Sequence, residues 1–273
     1  MIGFNGGLIG INRTYGATAA SPGVWTLDET LPTKRKVVAS GGDSKTEITD
    51  PVDGFTYILH SFTSTGDTSF IVAQGGVVEY LIIGGGSGGS GGIAFVNYGN
   101  GGAAGVARTG SVAIAAQPFT ITVGTGSAGT QQTNSAAGGD SVALGITATG
   151  GNGASATGRT GASNADYAGG TNSTDFNSGG GAGAGANGIS STGGAGFTST
   201  FTGSSVVRGG GGGAVSAGVG QPGGAGGGGA GNADGTGFNG TANTGSGGGG
   251  GRGDASFTGG TGGSGVVFIR YRK

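Results

Sequence analysis

Few residues in this chain could do chemistry, and their spacing fits no common catalytic site. His60 is the only histidine and there is no cysteine, so one chain cannot build a histidine-dependent triad, a multi-histidine metal site or a thiolate site. Strings resembling GxGxxG recur, as a glycine-rich chain produces by chance, and no phosphate-binding GxxxxGK[ST] loop follows a strand. We therefore expect no enzyme and no bound cofactor.

The remaining charged candidates are also weak. Asp43, Asp50 and Asp53 could offer oxygen ligands to a cation, but their spacing matches no calcium loop, so no metal site is predicted. His60 lies in a strand pattern and is expected to be an ordinary strand residue. Arg252-Gly253-Asp254 spells the integrin tripeptide, which chance explains in such a sequence.

Binding is the better-supported chemistry. Larger residues interrupt the glycine tracts and are expected in surface connections at 93–100, 152–178, 197–208, 232–246 and 252–257. Aromatic rings there could stack on sugars or fill grooves of a protein, with polar neighbours adding hydrogen bonds. The candidate binding residues are Tyr98, Tyr167, Phe176, Phe238, Phe257, Asn164, Asp166 and Asp175. As an alternative, individual rings cap the glycine segments and shield them from water.

The elements that must position these residues are unusual, because 76 of the 273 residues are glycine and only 9 % are charged. Collagen is excluded, since there are 5 prolines and no sustained glycine triplet. Ordering glycine costs much backbone entropy, so backbone hydrogen bonds, close packing of bare main chain or association with other chains must compensate. The net charge of −1 argues against a basic nucleic-acid surface.

Four regions follow one another along the chain. Residues 1–35 form a head in which Trp25, Leu27 and Leu31 could dock onto another protein, unless this segment is simply a frayed terminus. The segment lacks the basic and apolar regions of a signal peptide, and no apolar run reaches the roughly 20 residues that span a bilayer. Residues 36–83 predict antiparallel strands, residues 84–264 form a glycine-rich domain, and residues 265–273 predict a closing strand.

Alternation of apolar residues predicts which strand faces are buried. One face carries Phe55, Tyr57 and Leu59, a second Phe119, Ile121 and Val123, and a third Val267, Ile269 and Tyr271. Strands flank the glycine region on both sides, so we expect 77–83 to pair with 265–272. The predicted fold is mainly β and irregular, a short antiparallel sheet that brackets packed glycine segments and loops.

The glycine tracts beside these strands carry a local triplet. Ser87 and Ser90 are three residues apart, as are Thr261 and Ser264, which is the period of a polyproline II-type helix. Bare edges would let such helices approach until their peptide groups bond to one another, and the all-glycine tract Gly209–Gly213 would suit the middle of such a bundle. We therefore predict packed polyglycine II-type helices, with irregular loops stacked on β structure as the alternative.

Together, VVEYLIIGGGSGGSGG, PFTITVGTGSAG and the terminal GGSGVVFIRY resemble the glycine-rich domain of phage and marine viral tail-fibre proteins. More distantly, the layout of tracts and loops resembles the polyglycine tail-tip adhesins of T-even-like phages. The resemblance implies a virion protein, expected to be a homotrimer, that contacts a host surface receptor and attaches to other virion proteins through its N-terminal segment. Nucleic-acid binding and membrane insertion are not expected.

Other functions remain open from the sequence. A purely structural virion component, such as a head fibre, decoration or nozzle protein, would share this composition. An ice-binding polyglycine bundle would need a flat face of regularly spaced Thr or Ala, and the sequence has only short pieces of one. A depolymerase is disfavoured because no pair of carboxylates stands out.

Overall fold

The computed structural model describes residues 36–93, 98–172, 177–254 and 256–273. The secondary structure in these ranges is all β, and no helix among them is long and apolar enough to cross a membrane. The strands are β1 Val38–Gly41, β2 Ser44–Thr49, β3 Thr56–Phe62, β4 Gly66–Gln74, β5 Gly76–Ile83, β6 Ala107–Ile114, β7 Pro118–Val123, β8 Ser141–Ala143, β9 Ile146–Ala148, β10 Phe197–Ser199, β11 Val206–Arg208, β12 Val215–Ser216, β13 Val219–Gly220 and β14 Val266–Arg272.

Ten of these strands form two five-stranded antiparallel sheets. One sheet has the order β1-β4-β7-β8-β9 and the other β2-β3-β14-β5-β6. The predicted pairing of the closing strand is confirmed, because β14 lies beside β5 with Val266 opposite Ile83 and Arg270 opposite Glu79. Strands β6 to β9 come from within 84–264, so the sheets are larger than the short bracket that the sequence predicted.

The two sheets share one hydrophobic core. Alternate residues of each strand point into it, as the period-two patterns of β7 and β14 predicted: Ile121, Val123, Val267, Ile269 and Tyr271 are all buried there. Phe62 and Phe70 meet edge to face across the sheets with ring centroids 6.1 Å apart. Burying each such side chain stabilises the fold by about 1.5–3 kcal/mol, so this β-sandwich is held together by side chains.

The predicted face of β3 needs one correction. Tyr57 and Leu59 are buried as expected, but Phe55 is 49 % exposed. The strand begins only at Thr56, because the Asp53 carboxylate accepts the Phe55 N–H at 2.9 Å and holds that residue in the preceding turn. Phe55 instead stacks with the guanidinium of Arg272.

A hairpin covers the outer face of the second sheet. Segment 197–208, predicted to be a surface connection, pairs β10 with β11 and packs Phe197 and Phe201 against Leu59, Leu81 and Phe268. The segment packs on the sheet and does not form an exposed connection, because burying its two rings there removes them from water.

Arg270 links several elements on this face of the second sheet. Its guanidinium, nearly buried, contacts the carboxylates of Asp50 at 2.6 Å and Glu79 at 2.7 Å and donates to the Phe201 carbonyl at 3.1 Å. Burial lowers the pKa of Arg270, but its bonds to Glu79 and Asp50 outweigh burial and raise the pKa above its usual value. Asp50 is therefore engaged by an arginine.

The other two candidate cation ligands are engaged as well. Asp53 accepts the Tyr57 hydroxyl at 2.6 Å. Asp43 accepts the backbone N–H groups of Thr63 at 2.5 Å and Ser64 at 2.8 Å, and these bonds lower the pKa of Asp43 to about 2. Within the described ranges, no group of three His, Asp or Glu residues is placed to hold a metal ion.

His60 is a strand residue of β3, as expected, and the structure buries it in the core. Its Nδ1–H donates to the Gly41 carbonyl at 2.7 Å, and its Nε2 accepts the Tyr271 hydroxyl at 3.2 Å. Burial lowers the pKa of His60, so the neutral ring is favoured. Gly41 has φ of 111° and a Cβ there would lie 2.2 Å from the Ser69 carbonyl oxygen, so this crossover between the sheets requires glycine.

Beyond the sandwich, the glycine-rich segments lie side by side in a glycine bundle, residues 84–106, 124–139, 149–196 and 209–265 with the gaps given above. The amides of segment 245–251 show how it is built. With N···O distances of 2.8–3.0 Å, Gly247 donates to Gly210, Gly248 to Ser87, Gly249 to Phe238, Gly250 to Gly213 and Gly251 to Ser90. Every third amide thus returns to the same neighbouring segment.

The carbonyl groups of that segment follow the same three-residue repeat toward three other neighbours. Ser246 accepts from Gly263, Gly247 from Gly229, Gly248 from Gly102, Gly249 from Gly260, Gly250 from Asn232 and Gly251 from Gly99. The backbone of one interior segment is therefore bonded to neighbours on all sides. Gly209–Gly213, predicted to suit the middle of a bundle, is likewise buried throughout.

Bare main chain is what allows this approach. A Cβ added to Gly247 would lie 1.9 Å from the Gly102 carbonyl oxygen, and one added to Gly248 would lie 2.1 Å from that of Gly260. The serines of the triplet fit because their hydroxyls replace peptide partners: Ser87 Oγ accepts the Ala103 N–H and Ser90 Oγ accepts the Asn100 N–H. Side chains on outer segments, such as Thr125, Ala128 and Thr261, are exposed.

Candidate binding surface at the loop end of the bundle

The bundle has two distinct ends. At the sheet end, Gly84 N–H donates to Val106 O at 3.1 Å and Gly265 N–H donates to Gly124 O at 2.8 Å, directly beside the strands that these residues continue. At the loop end, Gly91 bridges Gly251, and the chain turns back through connections that carry larger residues. Because segments run between these ends, the turns collect at one or the other.

The loop end is polar and includes several connections. Those described there are residues 131–134, 156–159, 189–192, 216–219, 232–236 and 252–257 without residue 255. Gln131, Thr133 and Asp234 are exposed, and Val219 is 58 % exposed. An amide- and hydroxyl-rich surface with scattered apolar contacts is suited to binding polar partners.

Amide side chains brace these connections to one another. Asn134 Oδ1 accepts the Ala156 N–H at 2.9 Å, which links two connections. Asn177 Oδ1 accepts the Ala217 N–H at 2.8 Å and the Ser216 hydroxyl at 2.7 Å. The loop end is thus held by cross-links between turns as well as by the bundle beneath it, so its exposed side chains project from a fixed base.

Two further turns are braced internally. Asn232 accepts the Asp234 N–H at 3.1 Å and donates to the Thr236 carbonyl at 3.0 Å. Arg252 and Asp254 pair with each other at 3.2 Å, so the arginine and aspartate of the tripeptide contact one another. This pairing agrees with an ordinary turn at Arg252-Gly253-Asp254.

The structure separates the predicted binding residues into two groups. Tyr98 and Phe257 lie at the loop end and are both partly buried. Phe238 lies beside Gly249, just below that end, and 59 % of its surface is exposed. These rings share one end of the bundle. Phe176, Asp175 and the head residues Trp25, Leu27 and Leu31 lie outside the described residues.

Asn164, Asp166 and Tyr167 lie instead at the sheet end. Asn164 is buried, donates to the carbonyls of Ala104 at 3.1 Å and Gly183 at 3.0 Å, and accepts the N–H groups of Asp166 and Tyr167. Asp166 pairs with Arg108 of β6 at 2.5 Å, and its bond raises the pKa of Arg108.

Tyr167 packs against small side chains of the bundle, Ala103, Ala154, Ala162 and Ala182. This contact matches the alternative that an aromatic ring caps the glycine segments. All three residues of this turn therefore contact the protein itself, and the structure does not bring them together with Tyr98 and Phe257.

Three loop-end connections were missed by the sequence analysis, 131–134, 189–192 and 216–219. A usable signal was present, since Gln131–Asn134 lies within the longest polar run between PFTITVG and the following glycines, Thr130–Ser135. Ala217-Gly218 forms a tight turn with φ of 49° and 74°, but alanine gives no indication of a left-handed turn.

Comparison with known families adds one result. A family model described as a glycine-rich domain matches residues 63–272, which takes in most of the sandwich and the whole bundle. No curated protein matches the chain in a sequence search.

Proposed function

We propose that this chain, which belongs to the glycine-rich domain family, is a non-enzymatic virion fibre or adhesin of a bacteriophage whose loop end contacts the host surface. The proposal rests mainly on one observation. The connections that are cross-linked by asparagine side chains lie at the end of the bundle away from the sheets. Function is often placed on loops held by a rigid scaffold. The sequence resemblance to phage tail-fibre proteins supplies the biological setting.

The opposite end of the molecule suits attachment to the particle. β4 begins beside the bundle, where Gly66 pairs with Val123 next to Gly124, and ends at Gln74, which pairs with Val38. The described chain therefore starts at the far end of the sandwich, where residues 1–35 would join other virion proteins. Three such chains associated as a trimer would present three loop ends in one direction.

The proposal also includes a conformation for the backbone of the bundle. We assign its segments to polyglycine II-type helices, which have three residues per turn and no internal hydrogen bonds. The three-residue repeat of donors and acceptors in segment 245–251 supports this assignment. NMR dihedral angles of about −75° for φ and about +145° for ψ in this segment would agree with it, and angles typical of a β-strand would contradict it.

The partner we propose is a glycan or an outer-membrane protein of the host. Tyr98, Phe257 and Phe238 offer ring faces or edges for sugars or shallow grooves, and the exposed amide and hydroxyl side chains of 131–134 offer donors and acceptors. Both kinds of contact are needed on a polar target, because a ring supplies buried area and the polar groups fix orientation.

A loop-end variant tests the adhesin. It combines Gln131→Ala, Val219→Ala, Asp234→Ala and Phe238→Ala, which are exposed, and it leaves the bracing residues Asn134, Asn177 and Asn232 intact. A matched control, Val52→Ala with Ile71→Ala, removes apolar groups that are 79 % and 52 % exposed and that lie in the sandwich, away from the loop end. We expect the labelled loop-end variant to bind host cells at least several-fold more weakly than the control.

Equal binding by both variants, with both folded by thermal unfolding, would contradict the adhesin. The purely structural role would then be the better hypothesis, and electron microscopy of labelled particles would locate the chain on the head or the tail.

A further inference from the structure

The four Asn-Gly pairs within the described ranges differ in how the structure holds them. The pairs are Asn100-Gly101, Asn152-Gly153, Asn187-Gly188 and Asn239-Gly240. This dipeptide is chemically labile, because the glycine amide nitrogen can attack the asparagine Cγ and glycine has no side chain to hinder the attack. The reaction needs a mobile asparagine side chain and a glycine amide free to lose its proton.

Two of these pairs are exposed and yet restrained on both counts. Asn187 Oδ1 accepts the Ala168 N–H at 2.9 Å, and the Gly188 N–H donates to Ala168 O at 2.9 Å. Asn239 Oδ1 accepts the Thr261 N–H at 2.8 Å, and the Gly240 N–H donates to Thr261 O at 2.8 Å. Each asparagine is clamped to the residue that also holds the following amide.

The third pair is buried and restrained as well. Asn100 Nδ2 donates to Ser155 O at 2.9 Å, and its Oδ1 accepts the Gly179 N–H at 2.7 Å. The Gly101 N–H donates to Gly179 O at 3.0 Å. Neither partner of the reaction is free in this pair.

Asn152-Gly153 has neither restraint. Asn152 is exposed, and among the described residues neither its side-chain amide nor the Gly153 N–H has a hydrogen-bond partner. The backbone on either side is nevertheless fixed, since Asn152 N–H donates to Ser163 O at 3.0 Å and Ala154 N–H donates to Ser135 Oγ at 2.8 Å.

We infer that Asn152 is a site of spontaneous deamidation in the folded protein. The Gly153 nitrogen gives its proton to solvent base and forms a bond to Asn152 Cγ, and the Cγ–Nδ2 bond breaks to release ammonia. One water then opens the five-membered succinimide at either carbonyl and leaves aspartate or isoaspartate. The modified residue gains a negative charge.

The isoaspartate product would also disturb the bundle. Its backbone runs through the side-chain carbon, which adds one atom to the main chain between two bonded positions. Residues 151 and 154 are held by Gly85 and by Ser135, so the extra atom shifts the three-residue repeat out of register with these partners. Deamidation at Asn152 would therefore gradually weaken the hydrogen bonding of the bundle.

Peptide mapping by mass spectrometry tests this inference on the full chain. The folded protein is incubated at mildly alkaline pH, and the gain of one mass unit is followed at Asn152, Asn187 and Asn239. We expect conversion at Asn152 to be several-fold faster than at either other site, and the three rates to converge in denaturant. Conversion at Asn152 that is no faster than at Asn187 or Asn239 in the folded protein would overturn the inference.

Asn152→Gln provides a second readout, because glutamine would have to close a slower six-membered ring. This variant should lose the fast conversion while Asn187 and Asn239 keep their rates. A fast conversion that persists in the same peptide would place the reaction at another residue and would also contradict the inference.

Discussion

The sandwich and the glycine bundle fill their interiors by opposite means. In the sandwich, rings and branched side chains such as Phe62, Phe70 and Ile269 meet between two sheets. In the bundle, the carbonyl and N–H groups of one segment contact those of the next, and a single added carbon would lie 1.9–2.1 Å from a neighbouring oxygen at Gly247 or Gly248. The same chain therefore tolerates different changes in its two halves.

In this molecule, the absence of a side chain specifies structure as strongly as its presence. A β-strand bonds two neighbours and leaves two faces for side chains. An interior bundle segment bonds to neighbours on all sides, so little room is left for side chains, and most of its positions are glycine or, as at Ser87, a small residue whose hydroxyl replaces a peptide partner. Sequence-specific packing is then replaced by register along a three-residue repeat.

The largest effect is expected from Arg270→Met in the sandwich. The change leaves Asp50, whose side chain is 6 % exposed, and Glu79 without their cation, and such uncompensated charges destabilise a fold by about 3–5 kcal/mol. Denaturant unfolding measures the loss. As a matched control, Lys273→Met removes an exposed pair with Glu47 and should change stability by less than about 1 kcal/mol; equal losses would show that burial of the network is unimportant.

The next effect is expected from Gly248→Ala in the bundle. The new carbon would contact the Gly260 carbonyl oxygen at 2.1 Å, and because backbone cannot rotate away, segments must separate at a cost of about 3 kcal/mol. Ala128→Ser, which also adds one atom but at an exposed position, should stay within about 0.5 kcal/mol of wild type. If thermal unfolding showed that Gly248→Ala was equally harmless, close backbone packing would not hold the bundle.

A third effect is the pH dependence of the sandwich, which contains His60. The folded-state pKa of His60 is lowered by burial, so the unfolded chain takes up the proton first as pH falls below about 6.5. Stability is therefore complete above that value and is lost as pH drops toward the folded-state pKa, by about 1.4 kcal/mol for each unit of depression.

Urea unfolding between pH 7 and 5 measures this slope, and His60→Gln should remove it. Asp43 acts in a lower window, because its pKa is lowered to about 2 and its contribution is lost only below about pH 4. A slope between pH 7 and 5 that survives in His60→Gln would assign the titration to another group.

The smallest effect is a gain. Ala217 has φ of 49° in a turn with Gly218, and asparagine adopts this left-handed conformation more readily than alanine. Ala217→Asn should therefore relieve part of the roughly 1–2 kcal/mol that the left-handed conformation costs an L-residue, measured as a rise in Tm. Ala128→Asn is the control at an exposed position without a left-handed φ, and an equal rise there would point to a general surface effect.

Local pattern predicted the parts of the fold that depend on alternation or on an unbroken run of glycine. Period-two alternation predicted the buried faces of β7 and β14. The pairing of β14 with β5 could be predicted because these two strands flank the glycine region and few other partners were available. The buried tract Gly209–Gly213 could be read because it carries no side chain.

Other features depend on contacts that no local pattern records. The closure of β10–β11 over the second sheet rests on Phe201 reaching Arg270, 69 residues away. The division of the candidate site arose because a glycine segment has no marker of direction, so the turn at Asn164–Tyr167 could not be assigned to the sheet end from sequence. Neither could the brace from Asn177 to Ala217, 40 residues apart.

Amide hydrogen exchange of the native protein tests the central claim most directly, namely that peptide groups of the glycine bundle form its interior. The amides of Gly247 to Gly251, each bonded to a neighbouring segment, should be as strongly protected as those of β5 and β14. Exchange at these glycines as fast as in an unfolded peptide, with the sandwich still protected, would contradict the account.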